Sequence, residues 1–368
     1  MREELLYLVW LTVATGFSPS SRRILENHTA KECYFLDEEE LLKIGFTSKS
    51  AKKLSDKSLD SAEKILRICD AREIIPIPFY HPLYPKKLLR NSGSPVLLYA
   101  KGDMRALDKG VRIGFVGTRH MSARGERFAT NLASELIDKG AVLVTGGADG
   151  IDSIALKCAV RRGVPSVAVL GCDIDKYYPA KNYSLFELVA RLGLVISEYP
   201  PGTNARYFPM RNRIIASLSD RVVVAEAPSE SGALITADYA SDYSVPIFAP
   251  FFSGDSFEGC RRLVDRGAVR LETADEVIAH FTPTPLEKEK KVNKGLVQET
   301  NSPETERIKE YADAGLNHVI SCISSGKDTP EKMVSAEFAI SDVLCLISQL
   351  ELEGAITALP GDRYILNK

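Results

Sequence analysis

Residues 111–119, Val-Arg-Ile-Gly-Phe-Val-Gly-Thr-Arg, and residues 141–152, Ala-Val-Leu-Val-Thr-Gly-Gly-Ala-Asp-Gly-Ile-Asp, each run from a short apolar stretch into a loop containing glycine. Apolar, β-rich runs of this length that feed helices are the repeating unit of a parallel sheet covered on both faces. Moving outward, similar runs recur at 164–170, 193–197, 221–226 and 245–250, and apolar residues fall at helical spacing over 122–139, 150–162 and 231–243. The centre of the chain, residues 76–281, is therefore expected to be a doubly wound, mostly parallel α/β domain.

The flanks read differently. Residues 1–75 place Leu5, Leu8 and Val9, then Leu41 and Leu42, then Ile65, Leu66 and Cys69 at helical spacing, which predicts a small helical domain. Asp37-Glu38-Glu39-Glu40 precedes one of these stretches as an acidic first turn, where carboxylates face the positive end of the helix dipole. Prolines at 76, 78, 82, 85 and 95 predict an extended connection into the centre. Residues 282–303 hold few large apolar groups and read as a linker. In 304–368, three helical stretches, the third over Ile340–Leu352, precede Ala355–Ala358 and Arg363–Leu366, which flank Pro360-Gly361 as a hairpin. Three helices and a two-stranded wing make a winged-helix pattern.

Composition limits what the molecule can do. Of 368 residues, 45% are hydrophobic and 26% charged, as in globular chains, and the formal charge of −2 provides no whole-molecule attraction to nucleic acid. Any surface for a polyanion must be local. The longest apolar stretch, Leu5 to Ala14, is too short to span a bilayer and follows Arg2-Glu3-Glu4, so a core helix is expected rather than a signal sequence. Seven scattered cysteines without Cys-x-x-Cys spacing favour reduced thiols in the cytoplasm over disulfides or zinc.

Ligands of doubly wound sheets bind outside the carboxyl ends of the strands, so the loops there carry the chemistry. Gly117, Thr118 and Arg119 lead into a helix start; the free amides and the guanidinium suit a phosphate, and the same residues also make a tight turn. Gly146 and Gly147 permit close backbone approach, Asp149 would repel a phosphate, and Asp152 reads as a cap, with ribose or metal contact as alternatives. Asp173 and Asp175 lack the further ligands a divalent cation needs. Tyr177, Tyr178, Lys181 and Asn182 fit base stacking beside a neutralised phosphate, or simple packing in a loop. Arg206, Arg211, Asn212 and Arg213, interleaved with Tyr207 and Phe208, combine guanidiniums with aromatic faces as a single strand requires; alternatively Arg213 pairs with Glu198 or Asp220. Ser231 near Glu226 does not make a hydrolytic triad, because His120 alone lies near a strand end.

Phe115-Val116-Gly117-Thr118-Arg119, Gly150-Ile151-Asp152, Tyr178-Pro179 with Asn182, Ser197-Glu198-Tyr199-Pro200, Phe208-Pro209-x-Arg-Asn-Arg, Glu226 with Ser231-Gly232, Ile235-Thr236-Ala237 and Gly267-Ala268 occur in this order. Together they closely resemble the DNA processing protein A (DprA/Smf) family. The resemblance implies a Rossmann-like domain, a SAM-like helical domain in front and a winged helix behind. It further implies a cytoplasmic homodimer without catalytic residues, cofactor or metal, which binds single-stranded DNA, protects it during natural transformation and helps load the RecA recombinase. Carried over by position, the strand would be held by Gly117, Thr118, Arg119, Gly146, Gly147, Tyr178, Lys181, Asn182, Arg206, Arg211, Asn212 and Arg213.

The chain departs from that pattern at Thr145, Asp149 and Leu156, where the family has serine, arginine and histidine, and at Arg261, where asparagine is usual; Arg261 and Arg262 are candidates to restore the lost charge. The third helical stretch has Asp342, Glu351 and Glu353 in or beside it and no Lys or Arg, which points to protein contact rather than duplex reading. A competing reading is a nucleotide-processing enzyme similar to the lysine-decarboxylase-like phosphoribohydrolases. Pro228-Ser229-Glu230-Ser231-Gly232 departs from the Pro-Gly-Gly-x-Gly-Thr loop which that reading requires.

Overall fold

The computed structural model describes residues 2–17, 21–91, 93–203, 207–279 and 314–335, with parts of 343–366. They belong to two units, Met1–Leu286 and Glu287–Lys368. In the first, β1 (Ile75–Pro78), β2 (Leu97–Gly102), β3 (Arg112–Val116), β4 (Val142–Thr145), β5 (Val167–Leu170), β6 (Leu194–Ser197), β7 (Arg221–Val224), β8 (Ile247–Ala249) and β9 (Val269–Arg270) form one sheet. Its order is β1-β2-β6-β5-β4-β3-β7-β8-β9. The strands from β6 to β9 in that order are parallel, while β2 runs antiparallel to both β1 and β6.

Alternation along the strands explains the two covered faces. Val142, Val144, Val167, Val169, Val222 and Val224 point to one face and pack with Ile214, Ile215 and Leu218 of the helix Phe208–Leu218 and Ala237 of Ala233–Asp242. Ile113, Phe115, Leu143, Val223 and Phe248 point to the other, against Leu132 and Leu136 of Ala123–Asp138 and Ile154 and Cys158 of Ile151–Arg161. The chain winds from β3 out to β6, crosses back through Phe208–Leu218, and continues from β7 on the far side of β3. The strand order therefore reverses between β3 and β7, and the crevice at their carboxyl ends is where such sheets hold ligands.

The segment expected as an extended connection instead supplies one further strand, β1, at the edge of the sheet beside β2. β1 pairs with β2 from Ile75 opposite Ala100 to Pro78 opposite Leu97. Pro76 and Pro78 are tolerated because β1 is an edge strand, whose outward amides need no partner. The expected helical segment is also present, as helices Arg2–Ala14, Ser21–Leu25, Ala30–Phe35, Glu38–Lys43, Ser48–Leu54 and Asp60–Ala71. Its acidic run forms a capping box: Asp37 accepts the Glu40 amide at 2.8 Å and Glu40 accepts the Asp37 amide at 3.0 Å. Leu8, Leu11, Leu41, Leu54 and Ile65 share one core with Leu97, Tyr99, Leu170 and Val195 of the sheet. The boundary expected near residue 75 is consequently not a boundary between cores.

The second unit contains the helices Ala314–Ser324 and Pro330–Met333 and an antiparallel pair, β10 (Ile356–Leu359) and β11 (Arg363–Leu366), with Ile356 opposite Leu366. Val343, Ile347 and Leu350 are buried with Leu316, Val319 and Ile323, at the spacing of one helix face. The expected linker, the Pro360-Gly361 turn and Asp342, Glu351 and Glu353 lie outside the described residues. Among the described residues, no helix is long and apolar enough to cross a membrane.

Candidate nucleic-acid interface

Three loops meet along the carboxyl ends of β3, β4 and β5. The Thr118 amide donates to the Glu226 carbonyl at 2.8 Å, and the Thr118 carbonyl accepts the Ile151 amide at 3.2 Å. Thr118 is thereby buried, while the next side chain, Arg119, is exposed and makes no hydrogen bond or ion pair among the described residues.

The helix start behind it is different from the expected phosphate cradle. Glu226 is fully buried, and its two carboxylate oxygens accept the Ser122 amide at 3.0 and 3.1 Å. The Gly125 amide is taken by the Ser122 hydroxyl at 3.0 Å. An internal carboxylate thus occupies the positive end of the helix Ala123–Asp138, and a phosphate there would meet a like charge. The exposed cationic group at this point of the rim is the Arg119 guanidinium.

Two of the expected strand contacts face inward. Arg211 is buried and donates to the carbonyls of Gly146, at 2.7 Å, and Val169, and through Nε to Asn212 Oδ1 at 3.1 Å. On the other side of the same loop, Asp152 accepts the amides of Gly146 at 3.1 Å and Ala148 at 3.4 Å. Burial raises the Asp152 carboxyl above its ordinary range, opposed by the Arg211 charge and these amides. Asp152 therefore ties down its own loop. Arg213 is buried too: Nη2 lies 2.7 Å from both oxygens of Glu198, Nε donates to the Gly93 carbonyl at 2.7 Å, and Nη1 to that of Met210 at 3.0 Å. Neither guanidinium is available to a polynucleotide, which corrects the reading of both as phosphate contacts. They sit on a helix enclosed by the sheet and its neighbours, so the arginines end up within the protein. Arg206 lies outside the described residues.

The glycines serve the interior as well. A Cβ on Gly146 would come within 2.3 Å of the Arg211 guanidinium, one on Gly117 within 2.6 Å of Ile151, and one on Gly147, at φ +65°, within 2.3 Å of Phe186. Close approach is required at all three, but by protein side chains rather than by a ligand. Asn182 is buried and donates to the Gly147 carbonyl at 3.2 Å; Asn212 is half-buried and donates to that of Gly232 at 3.3 Å. Lys181 is exposed but pairs with Asp149 at 2.9 Å. Of the two tyrosines, Tyr177 is buried against Phe186, whereas Tyr178 is 44% exposed with its ring 5.1 Å from that of Phe208. Phe208 was visible only as part of an aromatic and arginine cluster, and its position under Tyr178 was not.

The departures from the family pattern also find places. Leu156 is buried in the core below the second loop. Arg261 does not restore charge to the rim: it pairs with Glu258 and donates to the carbonyls of Phe252 at 2.9 Å and Gly254 at 2.8 Å. Asp173 accepts from Thr203 at 2.8 Å and Asp175 pairs with Arg72 at 2.8 Å, so both acids have partners within the chain.

The family model described as DNA recombination-mediator protein A matches residues 76–282. Protein Smf of Synechocystis sp. is 33% identical over 309 residues, which are 77% of this chain and 78% of that protein. The solved DNA processing protein A of Streptococcus pneumoniae superposes with a TM-score of 0.66 at 28% identity, covering 75% of this chain and 98% of that one. A structure of DNA processing protein A from Helicobacter pylori, described for its single-stranded DNA binding mode, superposes with a TM-score of 0.51 at 29% identity over 56% of this chain and 94% of that one. With the ordered motifs, the fold and these matches in agreement, the chain belongs to the DNA recombination-mediator protein A (DprA/Smf) family.

Proposed function

We propose that this chain binds single-stranded DNA along the rim formed by the loops after β3, β4 and β5, and acts there as a recombination mediator rather than a catalyst. The observation that carries the reading is Arg119, an exposed guanidinium without an internal partner among the described residues, next to the point where the strand order reverses. Tyr178, half exposed and backed by Phe208, supplies an aromatic face on the same rim. A charge-assisted hydrogen bond contributes about 1.5–3 kcal/mol and a stacked base about 1–3 kcal/mol. These two contacts fall short of the roughly 8 kcal/mol of micromolar binding. The homodimer implied by the family would present two rims to one strand and add to these contacts through effective concentration.

The family resemblance supports RecA as the partner that receives the strand, and a cytoplasmic location follows from those partners. We read the second unit as a winged helix used for protein contact, because the stretch Ile340–Leu352 contains no Lys or Arg. The enzymatic alternative draws on Glu226, which is enclosed and engaged by the Ser122 amide, so the geometry does not favour it. The test is fluorescence anisotropy with labelled oligo-dT and a duplex of equal length across a salt series. The reading expects salt-sensitive binding with preference for the unpaired strand; equal or stronger binding of the duplex contradicts it.

A further inference from the structure

Among the described residues, a second cation of the rim is not free. Lys181, on the loop after β5, reaches across to Asp149, on the loop after β4, with Nζ 2.9 Å from Oδ2. The lysine side chain is 68% exposed and the aspartate 34%. Among the described residues, the other carboxylate oxygen, Oδ1, is buried without a hydrogen-bond partner, and Lys181 is the partner that neutralises this acid. The two loops are joined independently by the Asn182 side chain, whose Nδ2 donates to the Gly147 carbonyl at 3.2 Å. Without the ion pair, they would still be held together. The pair therefore contributes charge neutralisation more than architecture, and exposed pairs of this kind add little to stability.

We infer that Asp149 is an internal competitor for the nucleic-acid backbone: its carboxylate occupies Lys181 in the way a phosphate would, and sets how tightly and how salt-dependently the rim holds a strand. This rests on the strand-binding reading given above. A phosphate approaching Lys181 must displace a carboxylate that stays beside it, so among the described residues the rim presents Arg119 as its effective cation and gives up one counterion-releasing contact. Removing the charge at residue 149 releases Lys181 without disturbing the bond between Asn182 and Gly147.

The test compares wild type, Asp149→Asn, Asp149→Asn/Lys181→Ala and Arg119→Ala in oligo-dT binding across a salt series, with thermal melts confirming that each variant is folded. Asp149→Ser serves as a second neutral replacement if the asparagine variant does not fold. The neutral variants are expected to bind about five- to ten-fold more tightly at low salt, with the slope of log K against log salt steeper by ~0.7, the increment for one more phosphate on a single strand. Adding Lys181→Ala is expected to remove the gain. Unchanged binding in the neutral variants overturns the inference. A gain that survives Lys181→Ala overturns it as well, since simple repulsion by Asp149 would then be the cause. If binding is weakened by Arg119→Ala while residue 149 has no effect, the rim reading stands without the inference; if neither residue matters, both fail.

Discussion

Arg213 and Glu198 form an ion pair in the interior, with a single guanidinium nitrogen 2.7 Å from both carboxylate oxygens and neither side chain more than 6% exposed. Burial works against the charge on Arg213, but the Glu198 carboxylate outweighs it and holds the guanidinium protonated, its pKa above the usual value. The pair joins the helix Phe208–Leu218 to the end of β6, and Arg213 also reaches the Gly93 carbonyl. Residues that look like a nucleic-acid motif thus brace the crossover connection of the sheet.

Arg213→Met should therefore destabilise the fold. Removing one partner of a buried pair costs about 3–5 kcal/mol, because Glu198 is left charged or must take up a proton. Urea denaturation is expected to show a large drop in the unfolding midpoint. A variant of unchanged stability that has lost strand binding would return Arg213 to the interface.

Stability should also respond to acid through Asp220. Burial opposes its charge, but hydrogen bonds from Arg112 and Lys87 prevail and hold the carboxyl well below the ordinary carboxylate range. A carboxyl depressed in the folded state contributes stability that is fully present above its unfolded pKa, about 3.9, and is lost as pH falls toward the folded value. The advantage of wild type over Asp220→Asn is expected to be full at pH 7 and to shrink below about pH 4. Parallel urea midpoints at the two pH values check this; a constant difference would mean the carboxylate contributes nothing through its charge.

Gly146→Ala probes the buried side of the rim. The new methyl would stand 2.3 Å from the Arg211 guanidinium, which would have to give up its hold on the Gly146 carbonyl. Overpacking of this kind costs about 1–3 kcal/mol, so the thermal midpoint should fall measurably. An unchanged midpoint would show that Arg211 is free to move and open the possibility of its reaching a ligand.

These residues show where the sequence was legible and where it was not. Six strands of the sheet could be read, since runs such as Val142–Thr145 are buried on both faces and combine apolar character with β-branching. β1 was hidden because Pro76 and Pro78 look like breakers, and only its place at the sheet edge makes them acceptable. β9 is only two residues long and carries almost no pattern. At the site, Arg119 could be placed because strand, loop and helix follow in order. The inward direction of Arg211 and Arg213 depends on which elements cover their helix, which local sequence does not encode. The available hint was the pair of acids Glu198 and Asp220 offered as alternatives for Arg213; Glu198, directly after an apolar strand, is the partner, while Asp220 pairs with Arg112 and Lys87.

The second unit offers a separate test. Met1–Leu286 has its own continuous cores, so deleting residues 304–368 should leave its melting transition and its strand binding largely intact. Size-exclusion chromatography, melting and anisotropy on the shortened chain check this. Loss of binding in a folded, shortened chain would move the interface to the second unit.

The most direct measurement is oligo-dT binding by wild type and Arg119→Ala between low and physiological salt. Losing one charge-assisted contact of about 1.5–3 kcal/mol should weaken binding by roughly ten-fold or more and make the salt slope shallower, with melting unchanged. Identical isotherms for the two proteins would contradict the account, because the exposed guanidinium at the reversal of the sheet would then have no part in holding the strand.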